Sequence, residues 1–211
     1  MNINEELKKA LDELRKDKKR NFNQTIDLII NLKKYDFKKN PLNLFVNLPH
    51  KIKDKRICAF FETENENVKT ITQKEFKKYS DKTELKKLVK NFDFFIAEAS
   101  LMPKVATVFG RFLGPVGKMP SPQLGVLIDA NEKTINELKE KINSSIKIRT
   151  KEASIKLAIG KENMKDEEII ENILVVYDVI LKSLPREKDN IKNVEIKFTM
   201  TKPQKISIKW I

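Results

Sequence analysis

Glycine and proline are concentrated in one segment of this chain, FGRFLGPVGKMPSPQLG, residues 109–125, which holds four of the five glycines and three of the eight prolines. A phosphate-binding loop needs two glycines four residues apart, followed by lysine and a hydroxyl residue. Here only two residues separate Gly114 from Gly117, and Lys118 is followed by Met119. The sequence also lacks the G-x-G pair of a dinucleotide-binding turn. The segment therefore predicts a stiff, kinked surface loop, with glycines at positive φ, that suits a domain junction or a contact surface better than a floppy linker.

Other residues that could do chemistry are few. Cys58 is the only cysteine and lies in the apolar run RICAFFE, which favours a buried, inert thiol and a reducing compartment. His50 is the only histidine, so histidine clusters for metal binding or acid–base catalysis are excluded. The acids at 166–168 fit the first turn of a helix better than a metal site. The sequence thus predicts a protein that is not an enzyme and that needs no cofactor and no metal.

The charge balance points to a polyanionic partner. Lysine and arginine number 43 against 30 acidic residues, which gives a net charge of +13 and a pI near 9.6. Nucleic acid is the commonest intracellular polyanion, and a basic protein gains affinity for it by releasing counterions. A lysine-rich surface that is merely solvated is the alternative. No apolar run approaches the roughly 20 residues of a membrane span, and the amino terminus has the pattern of an amphipathic helix rather than a signal peptide.

Two patterns of apolar and polar residues follow one another along the chain. At both ends, apolar and polar residues alternate as in strands with one buried face: TIDLIINL, LNLFVNLPH, VEIKFTM, and SIKIRTKEASIKLAIG as two strands joined by a polar turn. Helices are predicted over residues 3–20 and in DEEIIENILVVYDVILKSL, and ISIKWI continues the sheet. The middle contains continuous apolar strands, RICAFF and FDFFIAEA, between helices predicted over residues 73–91, 101–112 and 131–143.

These hydrophobic patterns predict a discontinuous domain I, residues 1–53 and 148–211, with an α/β domain II of residues 54–147 inserted in it. Domain I carries a net charge of +9 and domain II carries +4. Domain I is therefore the better candidate for contact with a polyanion.

The ordered landmarks of the chain resemble the archaeal-type ribosomal protein L-one family. DFFIAEASLMP is followed by LGPVGKMPSP, with RNF and LPH upstream and with IKIRTK, DEEI, ENI and TM downstream. The resemblance implies an α/β (α+β) fold of two domains: a discontinuous domain I with an antiparallel sheet and helices, and an inserted Rossmann-like domain II. It implies binding to a helical junction of large-subunit ribosomal RNA in the mobile stalk, mainly through domain I.

The resemblance also implies further partners. These are the protein's own mRNA, whose translation members repress, and deacylated tRNA, whose release from the ribosome the stalk assists. The protein is expected to be a monomer off the ribosome and to work in the cytoplasm, on the ribosome, away from membranes.

Residues carried over by position form two sets. The RNA-binding set, with Arg20 added for its charge, is Arg20, Phe22, Thr25, Asp27, Arg149, Thr150, Lys151, Gly160, Lys161, Thr199, Met200 and Thr201. The signature loop is Gly114, Pro115, Gly117, Lys118, Met119 and Pro120. The sequence departs from the family at Asp27, usually Glu, at Val116, usually Arg, and at Thr201, usually Gly. A β-branched residue at 201 is expected to crowd the approach of RNA to the backbone.

Three functions compete at this stage. The first is a structural ribosomal protein that reads an RNA junction by shape, phosphates and 2′-hydroxyls, with Asp27 accepting from a hydroxyl. The second is a nucleotide-binding enzyme built on domain II, against which the loop spacing argues. The third is a dedicated mRNA repressor or divergent paralogue outside the ribosome, suggested by Val116 and Thr201.

Overall fold

The computed structural model describes residues 3–18, 20–128, 131–150 and 152–206, the side chain of Ser80 excepted. Its helices are α1 (Ile3–Arg15), α2 (Lys82–Asn91), α3 (Met102–Val116), α4 (Glu132–Ser144) and α5 (Asp166–Ser183). Its strands are β1 (Thr25–Leu32), β2 (Asn43–Asn47), β3 (Ile57–Phe60), β4 (Lys69–Ile71), β5 (Phe94–Glu98), β6 (Val126–Leu127), β7 (Ser145–Arg149), β8 (Ser154–Lys161), β9 (Ile191–Phe198) and β10 (Gln204–Ile206).

The elements fall into two compact units. The terminal unit consists of Met1–Ile52 and Ser144–Ile211, and the inserted unit of Lys53–Asn143. Antiparallel pairing in the first and parallel pairing in the second confirm the predicted α/β class with two kinds of sheet.

The terminal unit is built on an antiparallel sheet with the strand order β10-β9-β1-β8. The alternation predicted for β1 is confirmed: Ile26, Leu28 and Ile30 are buried, and the residues between them are partly exposed. Apolar residues of α1 and α5 join the same hydrophobic core. The sheet therefore has one face in the core and one face with polar residues, as its period of two requires.

Two details of this unit differ from the sequence prediction. The helix predicted over residues 3–20 ends at Arg15. The two strands of SIKIRTKEASIKLAIG do not form a hairpin: β7 pairs with β2 in a separate two-stranded sheet, while β8 pairs with β1. Alternation shows which residues of a strand are buried but not which strand it pairs with, because pairing with either neighbour would bury the same apolar residues.

The inserted unit has a parallel sheet in the order β4-β3-β5-β6. Cys58 and Phe60 of β3 pack in a cluster with residues of α2 and α3, whereas Ile57 and Ala59 pack in a cluster with residues of α4. Burial on both faces explains why this strand is continuously apolar. It also raises the pKa of the Cys58 thiol to about 12, consistent with an inert thiol.

The helix predicted over residues 73–91 is two elements. A 3-10 helix covers Gln73–Ser80, and α2 begins after Asp81, whose carboxylate accepts a hydrogen bond from the Thr83 N–H at 3.2 Å. Aspartate is a favoured N-cap, so α2 starts afresh at this residue. The short strand β4, which precedes the 3-10 helix, was not predicted.

The surface loop predicted over residues 109–125 is partly wrong, because α3, which the sequence predicted over residues 101–112, extends to Val116. Residues 109–116 continue α3, and Phe109 is completely buried. Gly114 and Pro115 of the predicted signature loop are thus helical, in the last turn of α3. Because a side chain before proline disfavours the helical conformation, glycine at 114 allows Pro115 to follow it within the helix.

Only two of the four glycines in this segment have positive φ. Gly117 ends α3 in the left-handed conformation, at φ 77°, and its N–H donates to the Gly114 carbonyl at 2.9 Å. Gly125 has φ 130°, and a Cβ there would lie 3.2 Å from the Phe95 carbonyl oxygen. The segment is therefore a helix end with its cap, followed by a tight approach to β5.

Lys118 of the predicted signature loop has a structural role. Its ammonium donates to the carbonyls of Val89 and Phe92, both at 2.7 Å, at the carboxyl end of α2. A cation at this end satisfies carbonyls that have no partner within the helix and opposes the helix dipole. Partial burial lowers the pKa of Lys118. Met119 is partly buried in the same cluster, and Pro120 is buried, so this stretch packs onto its own unit.

Two substitutions test the helical assignment of this segment. Gly110→Ala in the middle of α3 should raise the unfolding free energy by about 0.5–1 kcal/mol, because a Cβ at this position meets no atom within 4 Å. Gly117→Ala should lower it by about 1–2 kcal/mol, because its backbone is left-handed. Urea denaturation measures both. Destabilisation by Gly110→Ala would contradict the helix.

Candidate nucleic-acid interface

Most of the RNA-binding residues predicted from sequence meet at one end of the terminal sheet. At this end β1 begins, β8 ends and β9 ends, so three stretches distant in sequence come together: residues 20–27, 160–162 and 198–201. In register, Thr25 lies opposite Lys161 on β8, and Ile26 lies opposite Phe198 on β9. We call this end of the sheet the first surface.

Gln24, which the sequence analysis did not select, joins the three stretches. Its side-chain oxygen accepts the Met200 N–H at 3.2 Å, and its backbone carbonyl accepts the Glu162 N–H at 2.9 Å. Its own N–H donates to the Glu162 carboxylate at 3.3 Å. Gln24 is only 3% exposed, so its amide acts as a buried connector. The available signal was its position two residues before Ile26, in the inward series of β1.

Thr25 and Thr199 fasten β1 to the turn after β9. The Thr25 N–H donates to the Thr199 hydroxyl at 3.1 Å, and that hydroxyl donates to the Thr25 carbonyl at 3.3 Å. These two hydrogen bonds extend the contact between the two strands by one residue beyond Phe198, where β9 ends. Met200 therefore has its backbone held, while its side chain is 56% exposed.

A β-bulge sets the direction of the last residues of β8. Ile26 pairs with Gly160 and Asp27 with Ala158, so Ile159 is an extra residue between them. Both Ile159 and Gly160 are consequently buried, and the partly exposed Lys161 follows them. A Cβ on Gly160 would lie 3.1 Å from Ile169 Cγ1, so Gly160 permits close packing of α5. The bulge, rather than simple alternation, directs Lys161 away from the core.

Arg15 holds the turn between β8 and α5. Its guanidinium donates to the Asp166 carboxylate at 2.6 Å and to the carbonyls of Glu162 and Met164 at 3.0 and 3.2 Å. The guanidinium geometry suits several acceptors at once. This contact from α1 positions the stretch that contains Lys161, and the sequence analysis did not select Arg15.

Thr201 is accommodated in the turn that it belongs to. Its hydroxyl accepts the Phe198 N–H at 2.9 Å, and its own N–H donates to the Phe198 carbonyl at 3.2 Å. The side chain thus takes over hydrogen bonding at the end of β9. This contact offers a structural reason for threonine where the family usually has glycine.

Asp27 lies on the polar face of β1, opposite Lys197 of β9. Burial raises the pKa of this carboxyl above its ordinary value, while the positive charge of Lys197 acts in the opposite direction. A carboxylate that is partly desolvated but still accessible can accept a hydrogen bond from a ligand hydroxyl.

Exposed apolar side chains distinguish the first surface. Phe22 is 52% exposed and precedes by two residues Gln24, whose side chain accepts the Met200 N–H. Arg20 is also exposed. An exposed aromatic ring next to cations and hydroxyls can stack a base while the cations contact phosphates.

Arg149 and Thr150 are not part of this assembly. Asn172 of α5 donates to the carbonyls of His50 and Ile159, both at 3.0 Å, which places the segment that follows β2 beside the bulge of β8. Arg149 pairs with Asn43 at the opposite end of β2. Thr150 is 5% exposed, and its hydroxyl accepts the Leu42 N–H at 2.9 Å, so its role is structural. Lys151 lies outside the described residues.

Neither a metal centre nor a membrane span is found among the residues that the structure describes. Within those ranges no three His, Cys, Asp or Glu side chains are placed to hold a metal ion. No helix there is long and apolar enough to cross a bilayer.

Comparison with known proteins identifies the family of this chain. Residues 14–202 match the model of the Ribosomal protein L1p/L10e family. The chain belongs to this family. It is 37% identical over 206 residues to the large ribosomal subunit protein uL1 of Nanoarchaeum equitans, covering 93% of this chain and 95% of that one. It is 36% identical over 214 residues to the protein of the same name from Pyrobaculum islandicum, covering 95% and 93%.

Membership of the L1p/L10e family confirms the resemblance drawn from the sequence motifs. The family and these archaeal relatives are named as ribosomal proteins, so the chain belongs to a structural family and not to a family of enzymes. The mixed architecture, with antiparallel sheets in the terminal unit and a parallel sheet in the inserted unit, agrees with this assignment.

Variants of Thr201 distinguish two roles of its side chain: the hydrogen bond to Phe198, which affects stability, and the expected crowding of RNA, which affects affinity. Thr201→Gly should lower the unfolding free energy by about 1 kcal/mol, because the hydroxyl that accepts the Phe198 N–H is lost. It should not raise RNA affinity. Thr201→Ser keeps the hydroxyl and is the matched control. Urea denaturation and RNA titration measure the two effects, and higher affinity at unchanged stability would show that threonine does crowd the ligand.

The environment of Asp27 predicts a pH-dependent cost in stability. Its pKa is higher in the folded state, so the folded state holds the proton more tightly and loses relative stability as pH rises through that pKa. Asp27→Asn should therefore raise the melting temperature at pH 7. The gain should vanish below the ordinary carboxyl pKa of 3.8, where aspartic acid is neutral in both states. Asp12→Asn, on the exposed side of α1, is the control, and an equal gain there would contradict the argument.

Proposed function

We propose that this protein is a structural component of the large ribosomal subunit that binds ribosomal RNA through the first surface. The observation that carries the proposal is the assembly, by Gln24 and the Thr25–Thr199 pair, of three distant stretches into one surface. Phe22 and Met200 are exposed on it, and Lys161 follows the bulge. The archaeal relatives named as large-subunit proteins support the ribosomal assignment.

The mechanism is recognition of an irregular RNA by shape and backbone. Lys161 and Arg20 contact phosphates, while Phe22 and Met200 contact bases that a helical junction leaves unstacked. Asp27 accepts a hydrogen bond from a 2′-hydroxyl, which favours RNA over DNA. Because the backbone of the site is fixed by internal hydrogen bonds, little ordering is needed on binding, and this preserves affinity.

The finer functions that the resemblance implies belong to the same proposal. The RNA is a helical junction in the mobile stalk of the subunit, and the terminal unit is the RNA-binding domain. The stalk assists the release of deacylated tRNA, and the protein represses translation of its own mRNA through a similar RNA structure. The protein is a monomer when it is off the ribosome.

A dedicated mRNA-binding repressor outside the ribosome is the second candidate. It is motivated by Val116, which stands where the family usually has arginine and is 51% exposed, and by Thr201. Sedimentation of cell extracts separates the two candidates. Co-migration with large subunits at near-equal stoichiometry supports the ribosomal role, and its absence there supports the repressor.

The phosphate contact of Lys161 can be measured through salt dependence. Lys161→Ala should weaken binding to the stalk-junction RNA and reduce the slope of log affinity against log salt by about 0.7–0.9, the value for one phosphate contact. Lys139→Ala, an exposed residue of α4 in the inserted unit, is the matched control. Filter binding or fluorescence anisotropy across a salt series measures both. Equal slopes for wild type and Lys161→Ala would exclude this contact.

A further inference from the structure

A second basic region lies at the other end of the terminal unit. Residues 33–40, KKYDFKKN, carry four lysines and one aspartate, and all four lysine side chains are exposed. Among the described residues, no ion pair involves Lys33, Lys34, Lys38 or Lys39. This concentration of charge is not used by the first surface.

The basic loop has a fixed conformation. The Asp36 carboxylate accepts the N–H groups of Lys38 and Lys39 at 3.0 and 3.3 Å, and the Asp36 carbonyl accepts the Asn40 N–H at 3.0 Å. The Tyr35 hydroxyl donates to the Asn40 carbonyl. The one acid of the loop is therefore engaged with the loop backbone.

A buried amide anchors the loop to the core of the unit. Asn190, 2% exposed, donates from its side chain to the carbonyls of Lys33 and Lys34 at 3.2 and 3.1 Å. The Lys33 N–H donates to the Asn190 carbonyl at 2.8 Å. The 3-10 turn that ends at Asn190 carries Glu187 and Asp189, and Lys188 lies between these acids. The start of the loop is thus attached to this 3-10 turn through Asn190.

The loop continues directly into the face of the β2–β7 sheet. The Thr150 N–H donates to the Leu42 carbonyl at 3.1 Å, and Asn43, the next residue, pairs with Arg149. Phe45 and Lys147 are the next pair on the same face, and the Lys147 ammonium lies 5.1 Å from the centre of the Phe45 ring. Burial, followed by the charge of Arg149, lowers the pKa of Lys147. The two cations Lys147 and Arg149 therefore lie on the same face of this sheet, and Lys147 lies beside the Phe45 ring.

We propose that residues 33–40, with Phe45, Lys147 and Arg149, form a second surface that binds an RNA segment separate from the one at the first surface. Lysines on a preformed loop supply phosphate contacts, and the Phe45 ring with its neighbouring cations supplies a place for a base to stack. An acidic protein segment would use the charges but has no bases to stack on the ring. The observations therefore favour single-stranded RNA.

The position of the second surface allows both RNAs to bind at once. Lys161, at the first surface, and Ser154, four residues after Thr150, are the two ends of β8. Eight residues of strand span about 23 Å. The protein would then hold two RNA segments at different places on the terminal unit, one at the first surface and one at the basic loop and the β2–β7 sheet. This inference stands independently of the stalk-junction assignment.

The test measures binding of a labelled 12-nucleotide oligouridine, with and without a saturating fragment of the stalk junction. Wild-type protein saturated with the fragment should still bind one oligouridine. The double variant Lys38→Gln/Lys39→Gln should weaken oligouridine binding at least fivefold and reduce the salt slope by about 1.4, the value for two phosphate contacts on a single strand. Its affinity for the junction fragment should stay within twofold of wild type.

Two further variants sharpen the result. Lys77→Gln/Lys78→Gln removes an adjacent, exposed pair of lysines from the inserted unit and should change oligouridine affinity less than twofold. Phe45→Leu keeps an apolar side chain of similar reach but removes the ring, and it should weaken oligouridine binding about fivefold or more. Circular dichroism checks that the variants are folded.

Three results would overturn the second surface. These are an equal effect of the two lysine pairs, displacement of oligouridine by the junction fragment, or equally tight binding of a 12-residue oligoglutamate. Failure of the wild type to bind the junction fragment would instead count against the proposed function. The direct titration with oligouridine alone would still decide the second surface.

Discussion

The pairing of β1 with β8 and β9 is the constraint on which the terminal unit depends. The strands on both sides of β1 come from the other end of the chain, more than 120 residues away, and β1 is the central element that joins them. Their inward residues, Leu28 with Leu157 and Ile196, form the middle of the core. Closing so long a loop has an entropic cost that grows only slowly with its length, and burial of both ladders offsets it. This pairing also creates the first surface, because the ends of the three strands meet there.

Buried amides then fix the irregular chain at both ends of that sheet. Gln24 ties the start of β1 to Met200 and Glu162, Asn172 ties the segment after β2 to β8, and Asn190 holds the basic loop. Each is buried and hydrogen-bonded to the backbone through its side chain, so removing one would leave backbone groups unsatisfied at a cost of about 1–3 kcal/mol. The two surfaces are therefore set by core residues that contact no ligand.

The sequence predicted the elements with strong periodicity and missed the contacts between them. The alternation of β1 and β9 and the continuous apolar run of β3 identified those strands, because each depends only on which side chains face the core. Alternation could not tell that β7 pairs with β2, nor that a bulge at Ile159 turns Gly160 inward. In residues 113–116, glycine and proline suggested a loop, but α3 continues through them, with Leu113 buried in the cluster beneath the sheet. Tertiary packing overrode local propensity there. Of the residues selected from the sequence, Phe22 and Met200 are exposed at the first surface, whereas Thr150 and Gly160 are buried. Gln24 and Arg15, which hold the surrounding chain in place, were not selected.

The distribution of charge explains why such a basic unit benefits from a polyanion. Lysines at the first surface and in the basic loop repel one another, and a net charge far from zero opposes the compact state. The core and the amide contacts offset this repulsion in the free protein. Phosphates bound at either end remove part of the repulsion, and any ligand that binds only the folded state adds to its stability by mass action. Because β1 is hydrogen-bonded on both sides, to β8 and to β9, the ends of these strands are held in place before any ligand binds. A surface that is already ordered in the free protein needs little further ordering when a ligand binds.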